Sequence, residues 1–328
     1  MTLLYVIVAL VLIFDFLNGF HDSANSIATV VSTKVLSPFS AVAMAAFFNF
    51  IAFTIFPLKV ATTIGRGVIN PDVINLTVLA AALVAAILWN LATWWWGLPS
   101  SSSHTLVGGL VGAAIVYSGP GSVVVSGVVK IVAFIFIAPL LGMVASFIVS
   151  TIVVYLCRKL TPFKVDKIFR KLQLVSSATL SLGHGGNDAQ KSMGIIWAAL
   201  IVTGYTTKEE PIALWIILTC QTSIALGTLF GGWRIVKTMG QKITKLRPFE
   251  GFSSDISGAI TLFGATHFGI PVSTTHTITG AIIGVGSRKG ASAVKWGVTK
   301  NIFWAWIFTI PISAAIGATM CLFLKWIL

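Results

Sequence analysis

One polar phrase, written twice inside apolar sequence, limits the folds open to this chain more than any other feature. Its first copy reads Gly19-Phe20-His21-Asp22-Ser23-Ala24-Asn25, its second Gly185-Gly186-Asn187-Asp188-Ala189-Gln190-Lys191, and the aspartates lie 166 residues apart. A second phrase recurs as well: Pro99-Ser100-Ser101-Ser102-Ser103-His104-Thr105, then Pro271-Val272-Ser273-Thr274-Thr275-His276-Thr277, with histidines 172 residues apart. Two phrases with nearly one period divide the chain into related halves, each interrupting its hydrophobic run with a carboxylate and a hydroxyl cluster. That is the pattern of a transporter with a central site.

The chain is 56% hydrophobic and only 9% charged, against roughly 25% charged in soluble domains. Apolar runs over 2–20, 38–58 and 123–156 are each long enough to cross a hydrocarbon layer of about 30 Å. The expected class is therefore an all-α polytopic membrane protein, seated in the inner or plasma membrane. No cleavable leader is expected, because the first apolar stretch lacks a basic flank and runs straight into the first motif. Cys157, Cys220 and Cys321 have neither paired nor metal-ligand spacing, so they read as packing residues, with no metal site and no cofactor.

A net charge of +13 raises nucleic acid as a partner, but its placement argues against that. The basic residues concentrate in the short stretches 157–171, 232–251 and 286–297, whereas 59–72, 119–122 and 205–211 carry almost none of the excess. By the positive-inside rule the basic stretches are cytoplasmic. Three crossings plus one re-entrant hairpin per half then place both termini outside and invert the second half relative to the first. The expected organisation is a first repeat over 1–156, a basic cytoplasmic linker over 157–171 and a second repeat over 172–328.

Residues 1–33 and 172–203 would reach about 50 Å as helices at ~1.5 Å per residue. Each holds the Asp phrase near its middle beside glycines, so each is expected to be a broken helix, unwound where it lines a cavity. Pro99 and Pro271 are expected at hairpin tips, each opening a new half-helix. Trp94, Trp95 and Trp96 read either as an interfacial belt or as buried tip residues.

Only nine acidic residues occur, and a carboxylate at membrane depth is costly. Asp22 and Asp188 are expected to face each other across the pseudo-two-fold axis. Asp15, two turns before Asp22, belongs either to the cavity or to the outer interface, and Asp255 is expected at the cytoplasmic interface. Ser101, Ser102 and Ser103, with Ser273, Thr274 and Thr275, would supply hydroxyl donors beside half-helix N-termini, which attract anions. His104 and His276 read equally as structural hydrogen-bonding residues or as a proton relay. Gly108-x-x-x-Gly112 and Gly280-x-x-x-Gly284 read as close helix packing. An anion beside two aspartates requires protons or cations to neutralise them, so its binding is cation-coupled. Phosphate keeps an O–H that a carboxylate can accept, which favours it over sulfate.

These four motifs resemble the PiT family of inorganic phosphate transporters, whose Asn-Asp-containing signature occurs once per repeat. The resemblance covers essentially the whole chain. It implies an inverted-repeat fold with two re-entrant hairpins, a homodimer, and a midplane site in which Asp22, Asn25, Asn187 and Asp188 join the hydroxyl clusters on phosphate. Asp22, Asn25, Asp188, Lys191, His104 and His276 would then serve the coupling cation. Two departures matter: His21 stands where the signature has Asn, and Lys191 stands where a second Asn is expected. The second copy looks like the bacterial branch, which implies proton-coupled uptake of phosphate or metal-phosphate. Alternatively Lys191 pairs with Asp188 structurally at i, i+3; in either case a fixed positive charge weakens a neighbouring Na⁺ site. The competing readings are a sulfate permease of the same fold, a passive anion channel, and a membrane-embedded Asp/His hydrolase, which lacks an HExxH-type helix.

Overall fold

A computed structural model describes residues 2–64, 67–270 and 272–327. Arg66 of the 59–72 stretch and Pro271, expected to open the second half-helix, lie outside the described residues. In chain order the helices are α1 (Thr2–Ser32), α2 (Pro38–Ile51), α3 (Lys59–Ile64), α4 (Leu76–Trp96), α5 (Ser102–Ser118), α6 (Val125–Cys157), α7 (Pro162–Val202), α8 (Leu214–Phe230), α9 (Trp233–Lys237), α10 (Pro248–His267), α11 (Thr274–Arg288) and α12 (Trp296–Ile327). No strand occurs among the described residues. Among the described residues, α1, α4, α6 and α12 are each long and apolar enough to cross a membrane, and α8 with the segment after its bend makes a fifth such span if the two are taken together.

The break expected at each Asp phrase is not there. Helices α1 and α7 run through Asp22 and Asp188 without interruption over 31 and 41 residues. The neighbouring glycines serve side-on contact instead. A Cβ on Gly19 would lie 2.0 Å from the Ile224 carbonyl oxygen of α8, and one on Gly185 would lie 2.4 Å from the Asn49 carbonyl oxygen of α2. The polar side chains meet partners on adjacent helices, so the backbone has no need to unwind. The interruptions fall one helix later in each half. Helix α2 runs into a 3-10 turn at Ala52–Thr54 before α3, and α8 meets the following helical segment at a 60° bend. Gly231, with φ +70, makes that second break.

Each half also contains a helical hairpin. Arm α4 stops at Gly97 (φ +66), and Ser101 caps α5, its hydroxyl accepting from His104 N at 3.3 Å. Arm α10 is followed by Gly269 (φ +67), and Ser273 caps α11 in the same way, accepting from His276 N at 3.2 Å. The second arms then exchange partners: α5 packs on α12, and α11 packs on α6. Gly112 and Gly284 set these contacts, since a Cβ would come within 1.9 Å of the Ala314 carbonyl oxygen and 2.2 Å of the Met143 carbonyl oxygen. These are the close-packing roles expected of the two Gly-x-x-x-Gly pairs.

Helices α1 and α7 pack against each other, α1 also lying against α8 and α7 against α2. One apolar cluster gathers Leu4, Ile7, Val11, Met193 and Ile196; another gathers Ala24, Ile27, Val30, Leu180 and Ile278. Between them in sequence lies the polar band of both central helices, where Asp15, Asn18, His21, Asp22, His184, Asp188 and Lys191 are all buried. The outer face of α6 exposes Leu140, Leu141, Phe147, Ile148 and Ile152, a surface suited to lipid. Trp95 and Trp96 are also exposed, and the Arg234 guanidinium sits 4.5 Å over the Trp95 ring. That placement fits the interfacial alternative for the tryptophan run.

Candidate functional site

The site is assembled where the first turns of α5 and α11 reach the polar band of α1 and α7. Ser102 Oγ lies 2.9 Å from Asp22 Oδ2 and 2.7 Å from Asn18 Oδ1, so its one hydroxyl proton is shared between two acceptors. The equivalent residue of the second hairpin, Thr274, donates to Asp188 Oδ2 at 2.9 Å. Thr275 Oγ1 lies across the halves, 3.3 Å from Asp22 Oδ1. Asn25 Nδ2 donates to the hydroxyls of Thr274 and Thr275 at 3.1 and 3.0 Å. Lys191 Nζ donates to Asp188 Oδ1 and to Ser103 Oγ. Every one of these residues is at most 6% exposed.

Two histidines complete the carboxylate surroundings. His21 Nδ1 lies 2.7 Å from Asp22 Oδ1, and its Nε2 lies 3.2 Å from Thr93 Oγ1. His184 Nε2 lies 3.1 Å from Asp188 Oδ2, with Nδ1 3.2 Å from Asn49 Oδ1. Asp22, His184 and Asp188 offer one ligand atom each, all within 4.8 Å of one another. Two carboxylate oxygens and an imidazole nitrogen converging this closely form a donor set that could hold a cation. Oxygen donors suit a hard ion, and the imidazole also suits a transition metal.

Charge is unevenly matched. Asp188 has an ammonium group on it, whereas Asp22 has hydroxyls and an imidazole. Among the described residues, Asn18 Nδ2, Asn25 Oδ1, Asn187 Oδ1 and His104 Nδ1 are buried polar atoms without a hydrogen-bond partner. Buried polar groups are ordinarily paired, so Asn18 and Asn25, both in the hydrogen-bond network, keep bonding capacity that the described side chains do not use.

A profile described as the Phosphate transporter family matches residues 18–317. The chain belongs to the phosphate transporter family. Its similarity to curated members is high: it is 56% identical over 321 residues, 98% of this chain and 96% of the relative, to a probable low-affinity inorganic phosphate transporter of Rhizobium meliloti (strain 1021). It is 45% identical to the protein so described from Bacillus subtilis (strain 168), over 97% of this chain and 95% of that one. A solved structure described as "The sodium-dependent phosphate transporter" superposes with a TM-score of 0.89 at 28% identity, covering all of both chains.

Within this family fold, the residues picked from sequence fall into three groups. Asp22, Asn25, Ser102, Ser103, Asp188, Lys191, Thr274 and Thr275 form one connected hydrogen-bond network. Ser101 and Ser273 instead cap their helices, and Asn187 Nδ2 turns to Thr266 on α10 at 3.0 Å. His104 and His276 pair edge to face at 4.8 Å, with His276 stacked on Trp306 at 4.1 Å. Asp255 is fully buried and accepts from Thr29 Oγ1 at 2.6 Å, near the C-terminal end of α1. Asp15 is buried too, accepting from Ser192 at 2.8 Å. Sequence reasoning missed Asn18, His21 and His184 as members of the network. Asn18 and His184 each lie four residues before their aspartate on an unbroken helix, so i, i+4 neighbourhood was the signal; assuming unwound backbone hid it.

Proposed function

We propose that this chain is a secondary active symporter that imports inorganic phosphate with a coupling cation, H⁺ in preference to Na⁺. The observation that carries the reading is the pair of buried carboxylates, Asp22 and Asp188, each met by a hydroxyl from a hairpin tip. Within the hydrogen-bond network itself, the carboxylates of Asp22 and Asp188 outnumber the one ammonium group, that of Lys191, by one. A like charge 4 Å away costs about 4 kcal/mol at an effective dielectric constant of 20, roughly a thousandfold in affinity. Neutralising Asp22 removes that cost, so phosphate and one positive charge bind together. Its protonated carboxyl would also free Ser102 and Thr275 to donate to the oxyanion beside the α5 and α11 N-termini.

Lys191 supports protons over sodium, because its ammonium group already sits where a cation on Asp188 would be. The Asp22–His184–Asp188 donor set and the likeness to a sodium-dependent solved relative favour the opposite coupling, and that is the second reading. The preference for phosphate over sulfate rests on the O–H that phosphate keeps, which a carboxyl oxygen of the site can accept and which sulfate does not offer.

The reading includes two inverted repeats, 1–156 and 172–328, joined by a cytoplasmic stretch over 157–171, with both termini outside the inner membrane. The reciprocal packing of α5 on α12 and α11 on α6 supports the repeat, and alternating access would follow from one hairpin set moving against the other around Asp22 and Asp188. A homodimer in the bilayer is part of the same reading. The test is radiolabelled phosphate uptake into proteoliposomes under a pH gradient or a sodium gradient alone, with sulfate as competitor. Drive by the pH gradient, indifferent to sulfate, is expected. Drive by sodium alone would overturn the coupling, and sulfate carried in place of phosphate would overturn the substrate. Dependence on an added divalent cation would make metal-phosphate the cargo.

A further inference from the structure

A cavity of about 500 Å³ lies beside the central network, on the flank formed by α5, the N-terminal turns of α6 and the tip of the second hairpin. Its inner end is made by Ser103 and His104, and Ser103 is the residue that accepts from Lys191. Ser126 and Lys130 on α6 also line it, and the rest of the wall is mostly apolar, with Val107, Ile131, Phe134 and Phe268 among its residues. The wall at the start of α6 is fixed: Val124 N donates to the Val68 carbonyl at 3.0 Å, and a Cβ on Gly127 would strike the Gly67 carbonyl oxygen at 1.6 Å. Among the described residues, Lys130 is the one fully charged side chain lining the cavity, and no carboxylate lines it. Lys130 and Ser126 are exposed, while His104 is 2% exposed and its Nδ1 has no hydrogen-bond partner among the described residues.

We propose that this cavity is an antechamber for inorganic phosphate, in which Lys130 recruits the anion before it passes Ser103 and His104 to the Asp22–Asp188 site. The inference rests on the phosphate-import reading and adds a second anion site to it. A single cation in a low-dielectric cleft concentrates the field there and raises the capture rate of an anion, an effect that salt screens. Ser126 and Ser103 supply hydroxyl donors, and His104 Nδ1 is a polar atom at the inner end without a partner among the described residues. A membrane-facing lysine could equally hold a lipid phosphate, which shares this chemistry, so the test must separate the two sources.

In proteoliposomes, Lys130→Gln is expected to raise KM for phosphate about three- to tenfold with the maximal rate retained, and to flatten the ionic-strength dependence of uptake. Lys130→Arg should restore both. As a readout independent of transport, the Cys introduced by Ser126→Cys in the full chain should react with an anionic thiol reagent faster than with a neutral one. Free phosphate should slow that reaction, and adding Lys130→Gln should remove the anion preference, all measured above the Cys157 background. Unchanged KM and salt dependence in Lys130→Gln, or labelling indifferent to reagent charge and to phosphate, would overturn the antechamber. Loss of a co-purified anionic lipid in Lys130→Gln with unchanged KM would overturn it in favour of a lipid headgroup. Failure of the wild type to import phosphate would refute the import reading, while charge-selective, phosphate-sensitive labelling would still support an anion site in the cavity.

Discussion

Asn25 and Lys191 occupy the same position in the two halves, and each reaches from its central helix to the matching residue of a hairpin tip. Asn25 Nδ2 donates to Thr275 Oγ1 at 3.0 Å, and Lys191 Nζ donates to Ser103 Oγ. Each lies three residues after its aspartate, and the two hydroxyls are 172 residues apart, the spacing of the hairpin phrases. The duplicated framework therefore carries a neutral amide on one side and a permanent cation on the other.

That asymmetry predicts unequal outcomes for the two aspartates. Asp22→Asn removes a carboxylate whose partners are hydroxyls and an imidazole, so the protein should fold and lose coupled phosphate uptake. Asp188→Asn also loses uptake, and in addition strands Lys191 as a buried charge, which costs about 3–5 kcal/mol. Thermal unfolding in detergent should show the second variant clearly less stable than the first. Equal stability, or near-normal uptake in either, would refute the division of roles.

Replacing Lys191 by Asn makes the halves alike at this position. It leaves Asp188 without its cation, and a bound ion is the natural substitute. Sodium should then raise the melting temperature of Lys191→Asn but not of the wild type, since a ligand that binds only the folded state stabilises it by mass action. Uptake by the variant should also gain sodium dependence. If added sodium changes neither quantity, the Lys191–Asp188 contact is a structural ion pair only.

Much of this arrangement was legible in the sequence because intramembrane polar groups are expensive and duplication repeats them. Asp22, Asp188, the hairpin phrases and the Gly-x-x-x-Gly contacts all announced themselves in that way. The continuity of α1 and α7 did not, because a glycine that frees the backbone and one that admits a neighbouring carbonyl look the same in one dimension. Gly19 and Gly185 belong to the second kind. The division of each hydroxyl cluster was also hidden: Ser101 and Ser273 differ from their neighbours only in where the helix begins, and that is set by backbone geometry.

The cap assignment makes its own prediction. Ser101→Ala and Ser273→Ala should each cost about 1 kcal/mol of stability, the usual loss at a helix N-cap, while KM for phosphate is retained. Ser102→Ala removes a hydrogen bond to a buried carboxylate, worth about 1.5–3 kcal/mol, and should lower uptake efficiency roughly 10- to 100-fold. Uptake assays paired with thermal unfolding separate the two classes. A Ser101 variant as impaired in uptake as the Ser102 variant would show that the capping hydroxyl also serves the ligand.

The glycine contacts supply a test of the reciprocal packing that does not involve the ligand. Gly112→Val and Gly284→Val would each drive a side chain into a backbone carbonyl, on α12 and α6 respectively. Neither carbonyl can move without displacing its own helix. Both variants should fail to accumulate as folded protein, or melt far below the wild type, because overpacking of this severity exceeds the usual 1–3 kcal/mol. Gly264 is the control: it sits inside α10, and a Cβ there would meet nothing within 4 Å. Gly264→Ala should therefore fold normally and gain up to about 1 kcal/mol from helix propensity. If Gly112→Val and Gly264→Ala behave alike in size-exclusion and melting experiments, the α5–α12 contact is not packed as closely as the structure has it, and the exchange of hairpin arms between halves loses its support.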